Sequence, residues 1–253
     1  MTQILRGLGT AAVAVALVGT GAGCHSGGSE PSAASATSAA SISTTSSTAS
    51  EPFTGYLEPT SGTQDNVTYS VDLPQVRGGD TAVREKFNSS MRAALDDYLK
   101  PEEDRSTTVA SGGLMDDHKS AVSHVGTGSV AGVLIMNVFV ERSAHPFNTV
   151  STVVIDAHTA APIMLSDLFT DPTAGMTKLV DGIKTAMAKD PRLENQDAPK
   201  PVAAQLANWL PGADGLVVYL SVAHVFGDYF PVTVPWASIA DVLAPGMQEK
   251  LTT

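Results

Sequence analysis

The strongest constraint on how this chain folds is its single cysteine, Cys24, which lies close to the N-terminus. A single cysteine excludes an internal disulfide and a cysteine-rich zinc or iron–sulfur site. The fold must therefore be stabilised by its hydrophobic core. About 200 residues follow the N-terminal segments described below, and a domain of that size buries roughly 70% of its unfolded surface, which is enough to fold without a covalent or metal staple.

The residues before Cys24 have the pattern of an export signal. Arg6 supplies a positive charge, Leu8 to Val18 form an apolar run, and small residues lead to the cysteine. The run is too short and too rich in Ala and Gly to indicate a membrane-spanning helix. The segment from Gly21 to Cys24 (GAGC) resembles a bacterial lipobox, although a Leu or Val is usual where Gly21 stands. The resemblance implies a diacylglycerol on Cys24 and a lipid anchor in the cell membrane, facing outward; the alternative is an ordinary secretory signal.

Residues 25–53 consist almost entirely of Ser, Ala, Thr and Gly. Such a segment cannot bury enough apolar area to offset its chain entropy, so it predicts a disordered linker. As a flexible coil it would span roughly 30 Å on average. We therefore divide the chain into a lipoprotein signal peptide (1–24), a linker (25–53) and one globular domain (54–253).

The chain is acidic, with a net charge of −11. Removing residues 1–24, whose only charge is that of Arg6, takes the net charge to −12. An acidic surface repels nucleic acid and favours cationic partners. Acidity that merely keeps an exported protein soluble is the alternative interpretation.

The hydrophobic pattern of the domain predicts an α+β fold, an antiparallel sheet with helices packed on one face. Asn66–Leu73 alternates as a strand, and apolar residues at helical spacing follow Asp80. Three consecutive strands are expected between residues 121 and 156, and helices at 176–187 and 199–210. Strands at 215–225 and 231–234 and a short helix at 238–243 complete the order. The expected core of the sheet comprises Val133, Ile135, Val138, Val153, Ile155, Val218 and Leu220.

Two C-terminal segments resemble a known family. They are 144–169 (AHPFNTVSTVVIDAHTAAPIMLSDLF) and 217–245 (VVYLSVAHVFGDYFPVTVPWASIADVLAP). Both are similar to the extracellular domain of RsiV-type proteins, and the likeness extends over about residues 121–245. The family includes anti-sigma factors whose ectodomain binds lysozyme, secreted mycobacterial immunogenic proteins and lipoproteins. The resemblance implies a binding domain. No membrane helix or sigma-binding segment is recognised, so an anti-sigma role is not expected.

The sequence shows no catalytic, cofactor or metal motif. Histidines occur at 118, 124, 145, 158 and 224, but no HExxH motif is present, and His118 and His124 are spaced for neither a shared helix face nor a shared strand face. The segment Gly126–Ser129 fits neither a nucleophile elbow nor a phosphate-binding loop. We therefore predict no catalytic residue, no cofactor and no metal.

The candidate binding residues lie in two predicted turns. His145 matches a recurrent position of the family, and a ring that merely bonds a backbone carbonyl is its alternative role. Tyr229 and Phe230 are expected as exposed aromatic anchors, the alternative being core residues, with Asp228 and Glu141 as an acidic rim. These residues favour a non-enzymatic binding lipoprotein for a basic protein such as lysozyme or for a cell-wall ligand. An esterase-like envelope hydrolase built on His145 or His224 is the second hypothesis.

Overall fold

A computed structural model describes residues 51–100 and 104–253. Cys24, the predicted signal peptide and most of the predicted linker lie outside these residues, so lipidation, export and linker disorder remain predictions. None of the helices in the described ranges has the length and hydropathy needed to cross a bilayer.

The described residues form a mixed α+β fold, as predicted. The strands are β1 (Thr54–Gln64), β2 (Val67–Arg77), β3 (Thr107–Ser111), β4 (Ala121–Val125), β5 (Ser129–Val140), β6 (Phe147–Asp156), β7 (Trp209–Pro211), β8 (Gly215–Ser221) and β9 (Tyr229–Pro235). The helices are α1 (Thr81–Asp96), α2 (Pro172–Met187), α3 (Trp236–Ile239) and α4 (Met247–Thr252), and short 3-10 turns lie between them.

Strand β5 organises the larger sheet. It pairs antiparallel with β6 along nearly its whole length, from Ser129↔Asp156 to Val138↔Phe147. Its other side pairs with β4 at one end and β3 at the other. Strand β2 joins β1 antiparallel and β3 parallel, so the predicted antiparallel pairing holds for every pair of named strands except β2–β3. A second sheet has the antiparallel order β7-β8-β9.

Both faces of β5 are buried over residues 129–136, whereas Phe139 near its end is exposed. Successive strand side chains point to opposite faces, and the two faces belong to different hydrophobic clusters. One cluster contains Val130, Leu134 and Met136 together with helix α1. The other contains Ala131, Val133 and Ile135 together with α2 and the small sheet. Helix α1 therefore packs on one face of β5, whereas the small sheet lies against the other face and α2 packs against β9 of that sheet. The helices do not share one face of a single sheet, as the sequence pattern had indicated.

The caps of the long helices explain where they begin. The Asp80 carboxylate accepts hydrogen bonds from the amides of Ala82 and Val83, and Asp171 caps α2 in the same way. A carboxylate at this position pairs amides that would otherwise lack a partner. The buried faces are those predicted from helical spacing, with Val83, Phe87, Met91 and Leu95 in α1 and Leu179, Val180, Ile183 and Met187 in α2.

Several elements differ from the sequence predictions. The helix expected at 199–210 is a 3-10 turn, Ala203–Gln205, followed by the short strand β7. The last predicted helix, 238–243, is the short helix α3, and the strand predicted at 215–225 ends at Ser221. The sequence pattern does not predict β1, β3 or α4. Of the seven expected core residues, Val153 is half-buried and the other six are buried.

Candidate functional site

The first half of the site is the connection between β5 and β6. Arg142 takes a positive φ of 66°, and the Ser143 amide bonds the Val140 carbonyl to close the turn. The Ser143 hydroxyl donates to the His145 carbonyl over 3.2 Å. The exposed His145 ring places Nδ1 2.9 Å from the Pro146 carbonyl. This is the loop-ordering contact considered from the sequence as the alternative role of His145.

The second half is the connection between β8 and β9. A 3-10 turn, His224–Phe226, ends at Gly227, whose φ of 90° is readily adopted only by glycine. Asp228 also takes a positive φ, 70°. The turn returns the Asp228 carboxylate to His224, with Oδ1 2.9 Å from Nδ1. Asp and Asn are the non-glycine residues that tolerate this conformation best, which explains an aspartate here.

The imidazoles of the two turns stack on each other. The ring centroids of His145 and His224 are 3.8 Å apart and their planes differ by 14°. Asp228 strengthens the junction, because its Oδ2 accepts the Asn148 amide at the start of β6 over 2.7 Å. The Asn148 side chain in turn donates to the Gly227 carbonyl over 3.2 Å. The structure therefore joins two of the predicted site residues, His145 and Asp228, through His224.

Hydrogen bonding fixes the tautomer of both rings when they are neutral. A carbonyl and a carboxylate only accept hydrogen bonds, so Nδ1 of His145 and Nδ1 of His224 carry the hydrogen. Each neutral ring then has an unprotonated Nε2. Within the described residues neither Nε2 has a hydrogen-bond partner, and both rings are exposed. The pair therefore presents acceptors to solvent.

Two exposed apolar side chains lie close along the chain to the two turns. Val225 is 79% exposed and follows His224 directly. Phe139 is 42% exposed and lies just beyond Val138, at the end of the β5–β6 pairing. Because side chains alternate along a strand, Phe139 is on the sheet face of Asn137, which donates to Asn148. We call His145, His224, Val225 and Phe139 the stacked-histidine surface.

The structure corrects the proposed aromatic anchors. Phe230 is only 5% exposed and packs in the cluster of α2 and the small sheet. The Arg192 guanidinium lies 4.7 Å above its ring centroid. Tyr229 is half-buried, and burial, followed by the nearby Tyr98 and Asp228 groups, raises its pKa. A strand that starts directly after the turn alternates its side chains, so it carries Phe230 inward, and the core alternative holds for Phe230.

Arg192 is held by two carboxylates. Its guanidinium donates to both oxygens of Asp190 and, at 3.1 and 2.9 Å, to both oxygens of Asp116. Hydrogen bonds from Arg192 lower the pKa of Asp190, and the two carboxylates raise that of Arg192. Since Phe230 lies beneath this group, the arrangement stabilises the loops around the ring. The Arg192 guanidinium is therefore engaged in contacts within the fold.

The structure also changes the role expected for Asp228 in the acidic rim that it was predicted to form with Glu141. The Asp228 carboxylate is occupied on both oxygens, by Asn148 and His224, so it is not a free surface charge. Glu141 is exposed, lies 3.7 Å from the Arg142 guanidinium, and its amide bonds the Ser106 carbonyl. Asp228 therefore acts by positioning His224, and Glu141 remains a candidate rim residue.

Neither a metal site nor a hydrolytic triad is formed by the described side chains. No group of three or more His, Cys, Asp or Glu residues in this part of the chain could hold a metal ion. A bound ion lies in the plane of its imidazole ligand, and the nearly parallel rings of His145 and His224 cannot both direct Nε2 at one ion. The His224–Asp228 pair has the orientation of a catalytic dyad. Within the described residues, however, no serine hydroxyl bonds either ring.

An open groove of about 530 Å³ lies at the C-terminal end of α2. Its walls include Lys184, Asp190, Glu194 and Gln196, so both signs of charge face it. The Gln196 side chain accepts the Ala223 amide over 3.2 Å, which ties the groove to the turn of His224. Asp190 is already bound to Arg192, and the groove offers no convergent set of free polar groups.

No protein-family model and no curated protein matches the chain. Among solved structures, it resembles a DUF3298 family member from Bacteroides fragilis at 15% identity and a TM-score of 0.55, covering 81% of this chain and 98% of that one. It also resembles a DUF3298 family protein from Pseudomonas aeruginosa at 11% identity and a TM-score of 0.48, covering 78% of this chain and 95% of that one. Structural neighbours are thus DUF3298 proteins, and at such identity the first likeness establishes the fold alone.

Proposed function

We propose that this protein is a cell-envelope lipoprotein, anchored through Cys24, whose extracytoplasmic domain binds a basic protein and catalyses no reaction. The observation that carries the proposal is the stacked-histidine surface. Its exposed Val225 and Phe139 provide apolar contact area beside two hydrogen-bond acceptors. Apolar and aromatic side chains at the centre of an interface supply most of the affinity of protein complexes.

Charge supports a basic partner. The charged residues before position 51 are Arg6 and Glu30, which cancel, so residues 51–253 carry the whole net charge of −11. A field of this sign attracts a cationic protein and raises its association rate. Such long-range attraction is screened within roughly 8 Å at physiological ionic strength. We therefore expect salt to reduce the association rate more than the dissociation rate.

The sequence resemblance suggests which basic protein to test first. The segments at 144–169 and 217–245 resemble RsiV-type domains, whose best-understood members bind lysozyme, and they contain both turns of the stacked-histidine surface. Lysozyme is therefore the first candidate partner. A cell-wall ligand is the competing outcome, and a cell-wall extract serves as the second probe.

The test is a titration of the full-length protein with lysozyme, followed by biolayer interferometry at low and high salt. We expect saturable binding, and we expect Val225→Lys to weaken it at least about tenfold, since a positive charge at the centre of the interface repels a basic partner and is buried without a counter-charge. Val202→Lys is the matched control, because Val202 is also exposed, at 45%, and lies outside the surface. Binding that both variants lose equally, or no binding to lysozyme with clear binding to cell-wall extract, contradicts the basic-protein assignment.

An esterase is the second candidate, favoured by one observation, the His224–Asp228 pair with its unbonded Nε2. In this role His224 would act as a general base and Asp228 would orient it. The discriminating assay measures hydrolysis of p-nitrophenyl acetate by the wild type and by His224→Gln. Turnover that depends on His224 supports the esterase function, and equal turnover in both proteins rules it out.

A further inference from the structure

We propose that His145 and His224 are the acceptors for an arginine side chain of the basic partner, and that mild acid releases this partner by protonating the pair. The inference rests on the proposed function and names the group that the surface recognises. It follows from the hydrogen bonds of the two imidazoles and from their stacking.

The neutral pair is selective for donors. The Nδ1 hydrogen of His145 is used by the Pro146 carbonyl, and that of His224 by the Asp228 carboxylate. Each ring can then only accept at its exposed Nε2. A partner that offers carboxylates or carbonyls finds no donor here, whereas a partner that offers N–H groups does. The acidic net charge of the domain selects, among donors, those that are cationic.

The shape of the pair favours arginine over lysine. The two rings are planar, nearly parallel and 3.8 Å apart, so their two Nε2 acceptors lie on neighbouring, nearly parallel planes. A guanidinium carries five N–H donors in a rigid planar fork, so two of its N–H groups can reach two separate acceptors. An ammonium group is a compact, strongly hydrated point charge without such a fork. Val225 and Phe139 would contact the apolar stem of the same side chain.

Protonation converts the two imidazoles from hydrogen-bond acceptors at Nε2 into donors. An added proton occupies Nε2, so each acceptor becomes a donor, and the new charge repels a guanidinium. Two protonated rings would also lie 3.8 Å from each other. Asp228 is the carboxylate that faces the pair, and of the two imidazoles it bonds only that of His224. Charged groups on the neighbouring segments include the exposed Glu141–Arg142 pair, the Asp117–Lys119 pair and the two carboxylates bound to Arg192.

Imidazoles exchange their proton between about pH 5 and 8, whereas arginine keeps its charge throughout this range. The interval from pH 7.5 to 5.5 lies within this imidazole range and leaves a guanidinium unchanged. Ordinary surface carboxylates stay ionised at pH 5.5, so the general acidic field persists. A loss of binding over this interval thus reports on histidine.

The experiment measures the affinity of the full-length protein for octa-arginine, octa-lysine and lysozyme at pH 7.5 and 5.5. We expect octa-arginine to bind at least about fivefold more tightly than octa-lysine at pH 7.5, and binding of octa-arginine to weaken at least about tenfold at pH 5.5. The His145→Gln/His224→Gln variant should lose this pH dependence. His118→Gln, a change at another exposed histidine, should keep it. Circular dichroism checks that each variant is folded.

The outcomes separate this inference from the proposed function. Lysozyme binding that is equal at both pH values, or an unchanged pH dependence in the double variant, overturns the inference and leaves the binding function standing. Equal affinity for the two peptides overturns the arginine preference. Absence of lysozyme binding at pH 7.5, with octa-arginine bound as described, counts against lysozyme as the partner and supports the acceptor pair. If the double variant does not fold, the pH dependence of ligand binding by the wild type decides whether the inference holds.

Discussion

Replacing Phe230 by alanine should destabilise the fold strongly, because the ring is a core residue and not a surface anchor. It is 5% exposed, and its strand neighbour across the small sheet is Leu220, also buried. Truncating a buried Phe to Ala costs roughly 3–5 kcal/mol through lost transfer energy and the cavity that remains. Arg192 lies 4.7 Å above the ring, and loss of this cation–π contact adds about 0.5–1 kcal/mol. We therefore expect a loss of about 4 kcal/mol.

Urea unfolding followed by circular dichroism measures this loss as a lower midpoint with an unchanged m-value. For a domain of this size, about 2–4 °C of melting temperature is lost per kcal/mol, so Tm should fall by roughly 8–16 °C. Phe139→Ala is the matched control, since Phe139 is 42% exposed and should cost about 1 kcal/mol while weakening partner binding. A Phe230→Ala protein within about 1 kcal/mol of wild type, or equal destabilisation by the two changes, would refute the burial argument.

Three further predictions address other parts of the chain. Burial raises the pKa of Asp156, but hydrogen bonds from Lys250 and from the His158 and Thr159 amides outweigh it and lower the pKa to about 2. The carboxylate therefore stabilises the fold above about pH 4 by roughly 2 kcal/mol and loses this effect as the pH falls to about 2; acid unfolding should show this step, and Asp156→Asn should lack it. Cys24→Ala should release the protein from membranes, as cell fractionation and an intact-mass measurement of the lipid would show. A variant that stays on membranes, together with a wild type without lipid mass, would contradict lipid anchoring at Cys24. Limited proteolysis should cut first within residues 25–53 and leave a stable fragment of about 200 residues, whereas a resistant segment there would argue against a linker.

Local patterns in the sequence predicted the central elements well. Strands β4, β5 and β6 and the buried faces of α1 and α2 follow from hydrophobic periodicity, and Asp80 marks the start of α1. The sequence pattern does not predict strand β1, because Gly55, Pro59 and Gly62 interrupt the pattern and most of the side chains are exposed. An edge strand of this kind is stabilised by pairing with its neighbour, here along all of β2, and carries no apolar alternation of its own.

The site could be predicted only in part. The two turns were identified from Gly227, from His145-Pro146 and from the resemblance, but their meeting depends on tertiary contacts between distant segments. Asp228 positions His224 because its backbone has a positive φ and its carboxylate bonds the imidazole, and the sequence alone shows neither feature. The sequence does not show that β9 begins directly after the turn, which directs Phe230 inward, and a single exposed valine such as Val225 leaves no pattern.

The most direct test of the account is a hydrogen–deuterium exchange map of the full-length protein with and without lysozyme. If the stacked-histidine surface is the binding site, slowed exchange should concentrate in the segments around residues 139–148 and 222–228, with little change in the groove segment at residues 184–198. Slowed exchange confined to the groove, or no change anywhere at saturating lysozyme, would contradict the claim that this surface binds a basic protein.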